Sequence, residues 1–345
     1  MKKEADVNEN NSTKSVIAAM VVASVMTALL LGPGCSRAKA TPELASYAGK
    51  KILYINSYHE GYEWSDGITD AIRNTLYDTG VELRIHAMDT KRNPDQAFKE
   101  RAGLEAKAVI EAFNPDVVIT SDDNAFKYVV MPYYRDADLA FVYCGINWDA
   151  LVYGAPYRNT TGMLEVTLLE QLVEELKNYA DGDRIGYLVM ESSTGRKEGE
   201  YFSKVLHTSD IRYANSFSEW KRAFVDMQAT LDMLVIGNFR GITGLDEKEA
   251  QEFVRETIKI PVGADHEPEM PYAMIGFVTI AEEQGAWAAQ TALRILNGTH
   301  PLDIPEVTNK QAQVLVNLAL ADKLDIIFPP SILKIAEIYE PDGSQ

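Results

Sequence analysis

The chain has 345 residues, 46% hydrophobic and 24% charged, a composition that belongs to a globular protein and excludes a disordered, collagenous or coiled-coil one. With 33 Lys plus Arg against 51 Asp plus Glu the formal net charge is −18, a surface that repels phosphate backbones and rules out nucleic acid as a partner. The length suggests about two domains, and the two cysteines, Cys35 and Cys144, form neither a zinc pattern nor a disulfide framework.

Lys2, Lys3 and Lys14 precede an apolar run from Ser15 to Leu31, and Gly32, Pro33 and Gly34 follow it. A basic start, a short apolar stretch and a small-residue end read as a secretory signal peptide over residues 1–34. Residues 35–49 are small and polar enough for a tether. A cysteine directly after small residues resembles the lipobox of bacterial lipoproteins, in which that cysteine is lipidated; Gly32 departs from the usual Leu. Plain secretion and an uncleaved anchor therefore stay open beside lipidation at Cys35. Each alternative exports the rest of the chain, so its expected place is the periplasm or cell envelope, with a lipid anchor on the membrane. Cys144 ends the apolar string Leu139–Cys144 and reads as a buried, inert thiol.

Strand and helix patterns then alternate. Lys51–Asn56 reads as a strand, Ser65–Thr79 as a helix, Val81–Met88 as a strand, and Asn93–Phe113 as a helix opened by Asn93 and Pro94. Asp116–Thr120 and Ala140–Cys144 are apolar strands around a short helix, Asn124–Tyr133. The theme restarts with helix Leu164–Tyr179, strand Arg184–Met190, helix Gly195–His207 and strand Ile211–Asn215. Helix Phe217–Thr230, strand Met233–Gly237, helix Asp246–Thr257 and a strand from Pro261 complete it. The tail adds a helix over Ile280–Leu296, a strand over Ala312–Asn317 and a helix over Ser331–Ile338.

Apolar strands separated by amphipathic helices imply parallel sheets covered on both faces. The expected class is α/β, two doubly wound parallel-sheet lobes joined by a multi-crossover hinge. The first lobe takes residues 50–160 plus about 275–310, the second 161–274 plus about 311–340. Such sheets place ligands at the strand C-termini.

An exported chain of two such lobes resembles a type I periplasmic solute-binding protein. Ile119–Ala125 and Phe141–Asn147 are similar to the first lobe of the ABC-transporter substrate-binding family. The helix Glu282–Leu296 with Asn297-Gly298-Thr299-His300-Pro301 resembles that family's helix followed by L-x-G-x-x-P. Asn317, Leu318, Ala321, Lys323, Leu324, Ile327, Pro329, Pro330 and Leu333 resemble its closing signature, with Asp325 where Gly is common. The likeness runs over about residues 50–340. It implies capture of a small solute and delivery to an ABC permease, with aromatic amino acids among the ligands. Related lobes also act as sensors for membrane receptors or kinases, which keeps a sensing role open.

No catalytic constellation is present: Gly-x-Ser-x-Gly, the P-loop and His-Glu-x-x-His are all absent, so neither an enzyme nor a cofactor is expected. Asp265-His266-Glu267 reads as a solvated loop more readily than as a metal site. Binding candidates lie where strands end. Ser57, Tyr58, Tyr62, Trp64 and Ser65 follow the first strand, as a stacking wall or merely a staple for the helix start. Ser121, Asp122 and Asn124 sit at a helix N-terminus, where unpaired N–H groups suit a carboxylate. Asn147 and Trp148 follow the fourth strand. Glu191, Ser192 and Thr194, then Asn238, then Asp265 follow strands of the second lobe, with Glu191 or Asp265 holding an ammonium. Together these describe an aromatic amino acid, with a carbohydrate as the alternative.

Overall fold

The computed structural model describes residues 47–207 and 210–340. The signal peptide of residues 1–34, Cys35 and all of the tether but residues 47–49 lie outside them.

Six strands, numbered in chain order, form the first sheet: β1 (Lys51–Asn56), β2 (Glu82–Ala87), β3 (Val117–Ser121), β4 (Ala140–Asn147), β5 (Thr160–Glu165) and β11 (Val307–Thr308). Their order is β11-β5-β4-β3-β1-β2, every neighbour parallel. The central strands β1, β3 and β4 are buried along almost their whole length because both faces are covered. Ile52, Tyr54, Val117, Ile119, Val142 and Cys144 point to one face, against α1 (Glu63–Leu76) and α9 (Ala281–Leu296). Leu53, Ile55, Val118, Phe141 and Tyr143 point to the other, against α2 (Gln96–Phe113) and the helical stretch from α3 (Asp122–Ala125) to α4 (Met131–Tyr133). Cys144 is fully buried with a free thiol that burial pushes far above its usual range, the inert role expected of it.

The second sheet has β6 (Ile185–Met190), β7 (Ile211–Ala214), β8 (Met233–Ile236), β9 (Val262–Ala264), β10 (Ile275–Thr279), β12 (Ala312–Val316) and β13 (Ala336–Ile338). Its order is β13-β12-β10-β9-β8-β6-β7, parallel except where β12 runs against β10. The helices here are α5 (Leu169–Leu176), α6 (Ser193–Leu206), α7 (Phe217–Gln228), α8 (Glu247–Thr257), α10 (Leu318–Lys323) and α11 (Pro330–Leu333). Trp220 anchors the core with its ring stacked 4.5 Å from Phe239 and 5.1 Å from Phe224.

Several expectations need correction. The helix expected over Leu164–Tyr179 starts only at Leu169, because Thr160–Glu165 pairs as β5 in the first sheet. The β-branched pair Thr160-Thr161 and an almost wholly buried run favour a strand there. The division at residues 160/161 therefore falls at the start of a strand, and the chain crosses at Val166. Residues 275–279, assigned to the first lobe, form β10 of the second sheet, so the return crossing is at Ile280. The final helix ends at Leu333, and Ala336–Ile338 instead completes the sheet beside β12. The cap of α2 is Asp95, whose carboxylate accepts the Phe98 N–H at 2.9 Å, so Asn93 and Pro94 stay outside the helix.

Three crossings join the sheets: β5 to α5, β10 to α9, and β11 to β12. Asn309, on the third, receives the Val166 N–H on Oδ1 at 2.7 Å and donates Nδ2 to the Val166 carbonyl at 3.1 Å. Glu283, at the second, accepts the N–H groups of Lys310 and Gln311 on the third. The buried Gln284 accepts the N–H of Gly145 at 2.9 Å, at the bulge that shifts β4 against β5. Gly145 has φ +68° there, and a Cβ would lie 3.2 Å from an Asp122 carboxylate oxygen, so a larger residue is disfavoured on both counts.

Candidate ligand-binding site

Parallel strands end together, and their C-terminal loops gather polar side chains at one end of each sheet. In the first lobe the centre of that end is Asp122, only 2% exposed and in the left-handed region at φ +64°. Its Oδ1 accepts the Trp64 indole N–H at 3.0 Å, while Oδ2 is buried without a hydrogen-bond partner. An unsatisfied buried acceptor is costly, and such a group in a native site calls for a missing partner. Burial pushes the Asp122 carboxyl up to about 7, against the pull of the Trp64 hydrogen bond. Glu165, at the end of β5, is raised to about 8 by burial and by the neighbouring Asp122 charge. Burial, and then the charges of Asp122, Asp123 and Glu165, drive the Tyr58 hydroxyl upward.

The second lobe presents Asp265, 5% exposed, with Oδ2 accepting the Tyr187 hydroxyl at 3.0 Å and Oδ1 paired with His266 Nδ1 at 2.8 Å. Burial disfavours a charged imidazole, yet Asp265, Glu269 and Glu198 hold the His266 pKa up to about 10. Glu269 is fully buried with neither carboxylate oxygen hydrogen-bonded, and burial raises it to about 7. Glu198 is raised by burial and by Asp265. The two walls sense each other: the His266 charge pulls the Glu165 pKa down, and the Trp148 ring meets the Tyr201 ring of α6 edge-on at 5.3 Å. Trp148 sits at φ +69°, a conformation a bulky residue adopts only when its surroundings impose it.

Many of the expected residues are brought to these walls, with differing availability. Ser57 Oγ donates to the Ser121 carbonyl and accepts the Ala125 N–H, and Ser121 Oγ bonds the Tyr54 hydroxyl. Asn124 donates to Thr90, Ser65 to Asn56, and Asn147 to Asp123. These groups brace the loops. Tyr58 and Tyr62 meet edge-on at 5.3 Å beneath the Lys91 ammonium, 5.1 and 4.8 Å from their ring centres. In the second lobe Glu191 is paired with Arg196, Ser192 caps α6 through the Gly195 N–H, and Thr194 is exposed. Asn238 uses its carbonyl oxygen on the Arg240 N–H.

Sequence reading passed over Glu165, Lys91, Glu198 and Glu269, and took His266 for a solvated loop. Glu165 is the last residue of β5, and the helix expected from Leu164 covers it. The two second-lobe acids carry no local signal; packing alone brings them to Asp265. The concavities lined by Asp183–Ile185 with Thr230 and Leu231, and by Asp116, Arg158 and Pro301, lie at the N-terminal strand ends, away from this cluster. Among the described residues no group of His, Cys, Asp or Glu is arranged to hold a metal ion, and no helix is long and apolar enough to cross a membrane.

A family model described as ABC transporter substrate binding protein matches residues 153–339, more than half of the chain. No curated protein matches. Among solved structures, the chain is similar to an ABC domain in complex with L-Trp from Streptococcus pneumonia, with 17% identity, TM-score 0.53 and coverage of 84% of this chain and 99% of that one. The ligand-free, open structure of a substrate binding protein with adhesive properties from Clostridium difficile gives 15% identity, TM-score 0.64 and the same coverages, 84% and 99%. A periplasmic ribose ABC transporter protein from Conexibacter woesei gives 13% identity and TM-score 0.53 over 81% of this chain and 95% of that one. These likenesses establish the fold, two α/β lobes of the type I periplasmic-binding kind. The chain belongs to the ABC transporter substrate-binding proteins, a family of solute-binding proteins and not of enzymes.

Proposed function

We propose that this chain works outside the cytoplasmic membrane, held there by a lipid on Cys35, and captures a small amine-bearing solute between its lobes for an ABC permease. The observation that carries the ligand class is the free, buried Oδ2 of Asp122, with Trp64 fixed on its other oxygen and Tyr58 close by. A carboxylate without a partner is suited to an ammonium, and ring faces are suited to a planar or cationic group. Asp265 and His266 close the opposite wall. An aromatic amino acid is the first candidate, and the L-Trp held by the Streptococcus pneumonia protein makes tryptophan a natural probe.

A neutral sugar is the second reading. At pH 7 carboxyls at about 7 and about 8 are partly protonated and would donate hydrogen bonds to hydroxyl groups. Calorimetry on protein unfolded and refolded to strip any bound ligand separates the two. Binding of tryptophan, tyrosine or phenylalanine, weakened by Trp64→Ala, is the expected outcome. Indifference to all three at millimolar concentration, with uptake of a neutral sugar, transfers the assignment to the second reading.

A further inference from the structure

An amino acid needs a home for its carboxylate as well as its amine, and several of the groups the sequence offers for that task already have partners. Ser57, Ser121 and Asn124 all spend their hydrogen bonds inside the first lobe. In the second, the Ser192 hydroxyl serves the Gly195 N–H and Arg196 serves Glu191. Of the cations near the walls, His266 is tied to Asp265 and Arg240 donates to the Pro268 carbonyl, while Lys91 stands over the Tyr58 and Tyr62 rings with its charge acting on Asp122 and Glu165.

The acceptors are in the opposite condition. Asp122 has a free oxygen at 2% exposure, and Glu269 has two at 0%. Glu165 stands at the end of β5, its carboxyl raised by burial and by the Asp122 charge. Holding an ammonium requires at least one of these acids to ionise, and a zwitterion then sets its own carboxylate against that like charge, a repulsion the matching amine does not meet. The rings complement a cation: Lys91 already shows an ammonium resting on the Tyr58–Tyr62 pair.

We infer that the cleft selects an organic amine of net positive charge, carried on a planar ring and lacking a free carboxylate, over the corresponding amino acid. This rests on the capture reading and narrows its ligand class. Two matched pairs of probes test it: tryptamine against tryptophan and tyramine against tyrosine, titrated by calorimetry into stripped protein. Each amine differs from its amino acid only in the carboxylate. The inference expects at least one amine to bind tenfold or more tighter than its amino acid, and Asp122→Asn to remove most of that preference. Should that variant fail to fold, the wild type titrated in buffers of different ionisation enthalpy gives a second readout, since an amine entering among protonated acids releases protons. An amino acid that binds as well as or better than its amine overturns the inference and leaves the capture reading standing. Failure of both pairs, with uptake of a neutral sugar, overturns the inference and the amine-bearing ligand class together.

Discussion

Asn309 clasps Val166 from both sides of one residue, accepting its N–H and donating to its carbonyl. The two lie on different crossings between the sheets, 143 residues apart in the chain, and Asn309 is 2% exposed. Lobe closure, as proposed, would bend these crossings, and the clasp would then fix where they bend. A hinge is a few residues at element ends that absorb the change in backbone angles, and Val166 and Asn309 each directly follow a strand.

Replacing Asn309 by Ala leaves both Val166 groups without partners. The expected cost is about 1–3 kcal/mol of stability, read from urea unfolding, because buried backbone groups lose their hydrogen bonds. An effect on lobe closure should accompany it, seen as a broader distribution of interlobe distances between spin labels. Unchanged stability and an unchanged distribution would show that the crossings are held by other contacts.

The pH dependence of the ligand-free protein follows from Asp122 and Glu165. Their folded pKa values, about 7 and about 8, lie above the ordinary carboxylate range near 4. Between those limits the folded chain binds protons that the unfolded chain has released, so stability falls as pH rises from about 4 to about 8. The groups facing Asp122 are Trp64, Ser121, Asp123 and Lys91; those facing Glu165 are Asp122, Asp123, His266 and Lys91. Melting temperature should therefore drop by several degrees between pH 5 and pH 8, and Asp122→Asn should flatten the slope. A cationic ligand reverses the trend, binding more tightly as pH rises. Calorimetric scans across that range check both directions.

The address at the N-terminus has its own test. With Cys35 changed to Ala, the exported protein should leave the membrane fraction and appear soluble in the periplasm. A wild-type protein that is already soluble and carries no lipid mass removes the anchor.

Much of the architecture was legible because burial on both faces leaves a simple trace. Leu53 and Ile55 face one way and Ile52 and Tyr54 the other, so β1 reads as one apolar run with no alternation. That rule located β3, β4, β6 and β8, and from the end of β3 the turn that holds Asp122, while the strand start at Pro261 led to Asp265. It failed at β5, where the apolar run continues past Glu165 into α5 and the join between strand and helix has no strong punctuation. It failed again at β13, whose three residues become a strand only because β12 offers an open edge. The candidate site was half legible. Ser57 and Ser121 were found by position, but position does not tell a free hydroxyl from one that bridges two loops. Glu198 on α6 and Glu269 in a short 3-10 turn reach Asp265 through packing that no local pattern encodes.

In the proposed function, the space between Asp122 and Glu165 on one lobe and Asp265 and His266 on the other holds a small solute and closes upon it. Native mass spectrometry of the protein as purified from its own envelope, followed by denaturation and identification of what is released, tests this most directly. One amine-bearing molecule per chain is expected, released on unfolding and absent from an Asp122→Asn, Glu165→Gln double variant that remains folded. The same molecule retained at full stoichiometry by that folded variant would contradict it.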